Sequence, residues 1–159
     1  MITLDRIDYA LLRLLRKNAR LPNKDLAEKV GIAQSTALER VRRMREDKVL
    51  LGYHAEIAPQ AIGIGLQAMV SVRLAKHSRA LVDGFHAHLL ALPEVLACYH
   101  VAGADDFLVH VGVRNSDHLR NFTLTAFTER EEVAHIETRL IFEFQRNSEL
   151  PPWPIADAD

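Results

Sequence analysis

The hydrophobic period of this chain changes near residue 65, from the 3.6-residue repeat of helices to the two-residue repeat of strands. No single layer accommodates both repeats, so the chain divides into a helical N-terminal part and a mixed C-terminal part. Charge divides at almost the same place. Residues 1–54 carry 12 Lys or Arg against 7 Asp or Glu, and residues 55–159 carry 8 against 14, although the net charge is only −1. A basic domain joined to an acidic one is the footprint of a nucleic-acid binder carrying a second module. The expected division is a domain over 1–54, a linker over 55–65 with Pro59, Gly63 and Gly65, a domain over 66–145 and a tail over 146–159.

In the basic half, Ile7, Ala10, Leu11, Leu14 and Leu15 follow the i, i+3, i+4, i+7, i+8 spacing of an amphipathic helix, with Asp5 as its N-cap. Asn18, Arg20 and Pro22 end it, and a second helix is expected from about Asn23 to Val30, closed by Gly31. A third is expected from about Gln34 to Asp47, burying Ala37, Val41 and Met44. Its opposite face carries Ser35, Glu39, Arg42 and Glu46, with Thr36 and Arg43 beside them and Arg40 on the flank. Two short helices with a Gly turn, the second of them basic, form a helix-turn-helix that offers its second helix to the major groove. Ser35, Thr36 and Glu39 would reach base edges, and Arg40, Arg42 and Arg43 would bind phosphate or guanine. Val49 to Tyr53 is expected as a short apolar strand, the wing of a winged helix-turn-helix.

In the acidic half, Ala68, Val70, Val72 and Leu74 alternate as a strand, and a helix from about Ala80 to Ala91 turns Val82, Phe85 and Leu89 inward. Strands follow over Val95–Val101, with Val95, Ala97, Tyr99 and Val101 on one face, and over Phe107–Val113. A helix from about Asp117 to Phe127 and a strand from Val133 to Phe144 complete a β-α-β-β-α-β order, which is ferredoxin-like. The fold class is therefore α+β. Two helices cover one face of a four-stranded sheet. The other face, expected to carry Met69, Leu96, Cys98, His100, Leu108, His110 and Ile141, is too apolar to leave wet, and a two-fold dimer would bury it.

Several classes are set aside. Cys98 is the sole cysteine, so the chain forms no internal disulfide or CxxC zinc site, and a reducing cytoplasm is expected. No apolar run approaches the ~18 residues of a membrane span, and the N-terminus lacks a signal peptide's basic start and apolar core. No nucleophile–base pair, metal set or glycine-rich phosphate loop stands at recognisable spacing, so neither an enzyme nor a cofactor is expected. His86 and His88 point about 200° apart on a helix, against a shared metal ion. His100 and His110 are expected as neighbours on the dimer face, where protonation would weaken pairing near pH ~6. The tail segment Leu150-Pro151-Pro152-Trp153-Pro154 is expected to be extended, with Trp153 against its own protein or a symmetry mate.

Leu4-Asp5-x-x-Asp8, then Asp25-Leu26-Ala27, Val30-Gly31-Ile32, Leu38-x-Arg40-Val41-x-x-Met44 and Gly52-Tyr53 resemble, in order and spacing, the Lrp/AsnC family of bacterial and archaeal transcriptional regulators. The resemblance covers nearly the whole chain. It implies a C-terminal domain that dimerises through its sheet and assembles dimers into octamers. Gly103-Ala104-Asp105-Asp106-Phe107, by itself a Gly/Asp hairpin turn, is similar to the family's Gly-x-x-Asp-x loop. In the family that loop lines a pocket between dimers that takes a free amino acid. By this resemblance Gly103, Asp105 and Asp106 are effector-site candidates, with Asp106 on the ammonium and amides near Gly103 on the carboxylate. Three residues depart from the family pattern: Ala33 for a capping Ser, Lys48 for a Gly before the wing, and Ala104 for a polar residue. The expected function is sequence-specific regulation of transcription on double-stranded DNA, responsive to a small molecule such as an amino acid. The alternative is an architectural, low-specificity DNA-wrapping protein without an effector.

Overall fold

A computed structural model describes residues 3–147, and the chain forms two compact units. One comprises the described residues up to Glu56 together with 145–147, and the other spans Ile57–Phe144. The proline-rich segment 150–154 lies outside the described residues.

The first unit is three helices: α1 (Arg6–Lys17), α2 (Asn23–Val30) and α3 (Gln34–Glu46). Asp5 opens α1 through a reciprocal capping box. Its carboxylate accepts from the Asp8 N–H at 2.8 Å, and its own N–H donates to the Asp8 carboxylate at 3.2 Å. Gly31 ends α2 in the left-handed region (φ +73°), which lets the Ile32 N–H turn back to the Ala27 carbonyl at 3.0 Å. Leu11, Leu15, Leu26, Val41 and Met44 form the core, flanked by Ile7, Leu14, Val30 and Val49. The predicted stripes face this core, with Leu11, Leu15, Ala37, Val41 and Met44 buried and Ile7, Ala10 and Leu14 half-buried.

The predicted strand over 49–53 does not form. Helix α3 instead closes in a complete Schellman motif: Lys48 N–H bonds the Arg45 carbonyl (3.1 Å) and Val49 N–H bonds that of Met44 (2.9 Å). Lys48 takes the left-handed conformation that this motif demands (φ 59°), at the position where a glycine would be unstrained. Val49 and Leu50 then fold onto the helical core, so their apolar character reflects packing rather than pairing.

In the second unit, β1 (Leu66–Leu74), α4 (Arg79–Leu90), β2 (Val95–His100), β3 (Phe107–Val113), α5 (Ser116–Thr123) and β4 (Val133–Ile141) form the expected β-α-β-β-α-β chain order. All neighbouring strands are antiparallel, in the order β2-β3-β1-β4. Val70 sits opposite Val109 and Thr138, so these three residues share one face of the sheet. Val70, Val72, Val109 and Val111 meet Phe85, Leu89, Phe107 and Phe127 in a fully buried apolar core on the helical side. Helix α5 continues as a π-helical turn (Leu124–Thr128), which brings Phe127 into the core with its ring edge-on to Phe122.

Two strand expectations are corrected. Strand β4 stops at Ile141 rather than Phe144, because Ile141 pairs with Gln67 and β1 begins only one residue earlier. Strand β2 shifts register between Val95 and Ala97. That bulge puts Cys98 opposite Val109 and His100 opposite Phe107, on the helical side, and turns Ala97 and Tyr99 to the other face. His100 accordingly stacks on Phe107 (centroids 5.0 Å), while His110 is buried on the opposite face with its Nε2 2.8 Å from Gln67 Oε1. The two histidines are not neighbours.

Candidate nucleic-acid interface and effector loop

The polar residues of α3 divide into two groups by what they touch. Ser35, Thr36, Glu39 and Arg42 stand exposed. Arg42 donates to Glu39 at 2.7 Å and lies 3.9 Å from Glu46, so its guanidinium is laid along the helix surface. The hydrogen bond from Arg42 also holds the Glu39 carboxyl below the ordinary carboxylate range. No side chain caps the N-terminus of α3, where Ala33 occupies the cap position.

Arg40 and Arg43 turn the other way. Arg40 Nη1 donates to Asp8 Oδ1 (2.9 Å) and Asp5 Oδ2 (2.6 Å), and Arg43 Nη2 donates to Asp8 Oδ2 at 2.7 Å. Asp8 is completely buried. Each of its oxygens therefore takes a charge-assisted bond from α3, which is how a carboxylate survives removal from water. Hydrogen bonds to Asp5 and Asp8 raise the Arg40 pKa further above its ordinary value. The backbone bond from Asp8, aided by Arg40, lowers that of Asp5. Arg43 Nε is buried without a hydrogen-bond partner, so the Arg43 fork is satisfied on one side only.

The role of Asp8 goes beyond its place in the sequence motif, and the signal for it was available: Asp8, Leu11 and Leu15 share the buried stripe of α1, so an acid sits where an apolar residue is due. On the far flank of α3, the Arg45 guanidinium lies over the Tyr53 ring, 6.0 Å from its centroid. Between α3 and the segment 50–53 runs a groove of about 690 Å³, lined by Leu38, Arg42, Arg45, Lys48, Leu51 and Tyr53.

In the second unit, the loop between β2 and β3 carries the other predicted site. Gly103 takes φ +141°, a backbone conformation open to glycine, and is exposed, while Asp105 is half-buried. Both oxygens of Asp106 are engaged: Oδ2 accepts from the Leu74 N–H at 2.7 Å and Oδ1 lies 2.8 Å from His77 Nε2. The Asp106 N–H bonds the Val72 carbonyl at 2.9 Å, so this residue ties the loop to the end of β1. Among the described residues, no group of three His, Cys, Asp or Glu is placed to hold a metal ion. Nor is any helix among them long and apolar enough to cross a membrane.

A helix-turn-helix with a polar outward helix, carried in one chain with an antiparallel βαββαβ unit, defines a DNA-binding transcriptional regulator with a ligand-binding domain. Residues 4–45 match the AsnC-type helix-turn-helix domain, and residues 67–148 match the Lrp/AsnC ligand binding domain. The chain belongs to the Lrp/AsnC family of transcriptional regulators, a non-enzymatic class. It is 44% identical over 145 residues to the HTH-type transcriptional regulator AldR of Mycolicibacterium smegmatis, covering 91% of this chain and 85% of that relative. It is 34% identical to the leucine-responsive regulatory protein of Rhizobium meliloti, covering 87% and 89% of the two chains. Among solved structures, a transcriptional regulator of Neisseria meningitidis in complex with L-Met superposes with a TM-score of 0.85 at 27% identity, covering 94% of this chain and 97% of that one.

Proposed function

We propose that this chain is a sequence-specific regulator whose DNA binding or assembly responds to an amino acid, with no other cofactor. The observation that carries the reading is the pairing of two features in one chain: an α3 whose exposed face is polar, and a ligand-binding domain with its β2–β3 loop tied down by Asp106. The L-Met complex of the structural neighbour supports an amino acid as effector class. In this reading Ser35, Thr36, Glu39 and Arg42 face the DNA. Arg40 and Arg43 act chiefly by fixing α3 through Asp8. In the loop, Asp106 is the strut, leaving Asp105 for the ligand's ammonium and the backbone near Gly103 for its carboxylate.

The uncovered sheet face supports pairing of two copies by a two-fold axis, and further assembly to an octamer rests on family membership alone. Leu96 and Tyr99 are 43% and 52% exposed there, beside Met69, Leu108 and Ile141. Two joined copies would place two α3 helices at half-sites one helical turn or a multiple apart.

An architectural wrapper depends on many free cations along its surface. Here two of the α3 arginines, Arg40 and Arg43, are committed to Asp8, which favours a reader of sequence over a wrapper. The test is selection of bound sites from a random duplex pool, then gel-shift titration with and without each of the twenty amino acids. A selected consensus, bound with an affinity that one amino acid changes, is the expected result. Complexes without consensus would return the wrapper, and indifference to every amino acid would remove the effector. Arg42→Ala is expected to weaken binding about tenfold with melting unchanged.

A further inference from the structure

We infer that Leu38 is a specificity-determining residue that reads the C5-methyl group of a thymine in the major groove. The inference rests on the DNA-binding reading and adds to it a residue and a base. Helix α3 exposes one large apolar side chain among its described residues, Leu38, which is 53% exposed amid polar neighbours. A single exposed leucine on an arbitrary surface carries no message. This one falls in a row. Ser35, Leu38, Arg42 and Arg45 follow i, i+3, i+7 and i+10, so they form one stripe along the helix that enters the groove.

The surroundings specify the occupant. Leu38, with Leu51 (85% exposed) and Tyr53 (43%), lines the groove beside α3 with exposed apolar surface. Arg42, Arg45 and Lys48 also line it, against one carboxylate, Glu46, which already lies 3.9 Å from Arg42. An apolar strip fringed with net positive charge suits a DNA strand: phosphates meet the cations, and the apolar group meets the one apolar feature of a major-groove base edge. That feature is the thymine methyl. Glu39, adjacent in sequence and hydrogen-bonded to Arg42, contributes an acceptor that suits cytosine N4, so neighbouring positions of α3 have different base preferences.

The experiment is a four-way comparison using a duplex selected from a random pool. Each thymine is replaced in turn by deoxyuridine, which removes only the methyl group, and affinities are measured for the wild-type chain and for Leu38→Ala. One thymine per half-site should be sensitive, with about fourfold weaker binding of wild type to the uridine duplex, the factor that burial of one methyl-sized group gives. Leu38→Ala should bind both duplexes equally, with an unchanged melting temperature because the side chain is half in water already. Leu38→Met, which keeps an apolar tip, should restore discrimination. If no thymine is sensitive, or the sensitivity persists undiminished in Leu38→Ala, the inference is overturned while DNA binding stands. If no duplex is selected at all, both this inference and the DNA-binding reading fall.

Discussion

The two units of this chain solve the problem of a unique core in different ways. The C-terminal unit packs valines from its sheet against Phe85, Phe107 and Phe127, and its helical side contains no buried charge. The N-terminal unit is smaller, and its core contains Asp8, gripped from two sides by Arg40 and Arg43. Apolar packing is non-directional, and a domain of that size has little of it. Ion pairs in a low-dielectric setting contribute less net stability than apolar substitutes, yet they fix geometry. The unit that must present a helix at a defined angle is the one that holds that helix with directional bonds.

Four outcomes would break or sharpen this contrast, the first three read by hydrogen exchange so that the two units report separately. Phe107→Ala should have the largest effect, destabilising the C-terminal unit by about 4 kcal/mol through cavity formation, with protection of α1–α3 unchanged. Asp8→Ala should cost the N-terminal unit about 3 kcal/mol, the low end for a broken buried pair because the two arginines left behind reach water. Its protection loss should centre on α3. Equal loss in both units would mean that they do not fold independently.

Lys48→Gly should raise N-terminal stability by about 1 kcal/mol, since it removes the left-handed strain of a residue with a Cβ while keeping the Schellman bonds. A loss there would show that the Lys48 side chain does something the backbone does not. The smallest effect concerns pH. Burial lowers the pKa of His110 below its ordinary value of 6.5, so the unfolded chain takes up a proton first as pH falls. Stability from this group is present above about pH 6.5 and declines below it, towards the lowered folded value. The difference in melting temperature between pH 7.5 and 5.5 should narrow in His110→Gln.

The periodicity of the sequence carried most of the architecture. The apolar stripes of α1, α2 and α3 and the alternation in β1 and β3 are unambiguous because polar residues separate the apolar ones. Val95-Leu96-Ala97-Cys98-Tyr99-His100 has no such contrast, so either set could face the helices, and the bulge that decides between them leaves no residue signature. Val49 to Tyr53 misled for a related reason, since an apolar run does not say whether it pairs or packs. The arginines of α3 were legible as a basic helix but not as two groups. Their division depends on Asp8, 32 and 35 residues away, and on how α1 crosses α3. The Asp106 loop was located by resemblance, whereas its bond to Leu74 depends on strand register that only the fold supplies.

On the proposed reading, α3 separates into a flank that holds and a flank that reads, which makes the reading surface an exchangeable part. Val41, Met44, Arg40 and Arg43 hold the helix in place, and none of them belongs to the stripe of Ser35, Leu38, Arg42 and Arg45. New combinations at those outward positions can therefore be drawn without refolding the unit, so a duplicated copy could acquire a different operator by drift on one face alone. The same partition makes the helix a ready scaffold for re-targeting by design, with the Asp8 clamp left untouched.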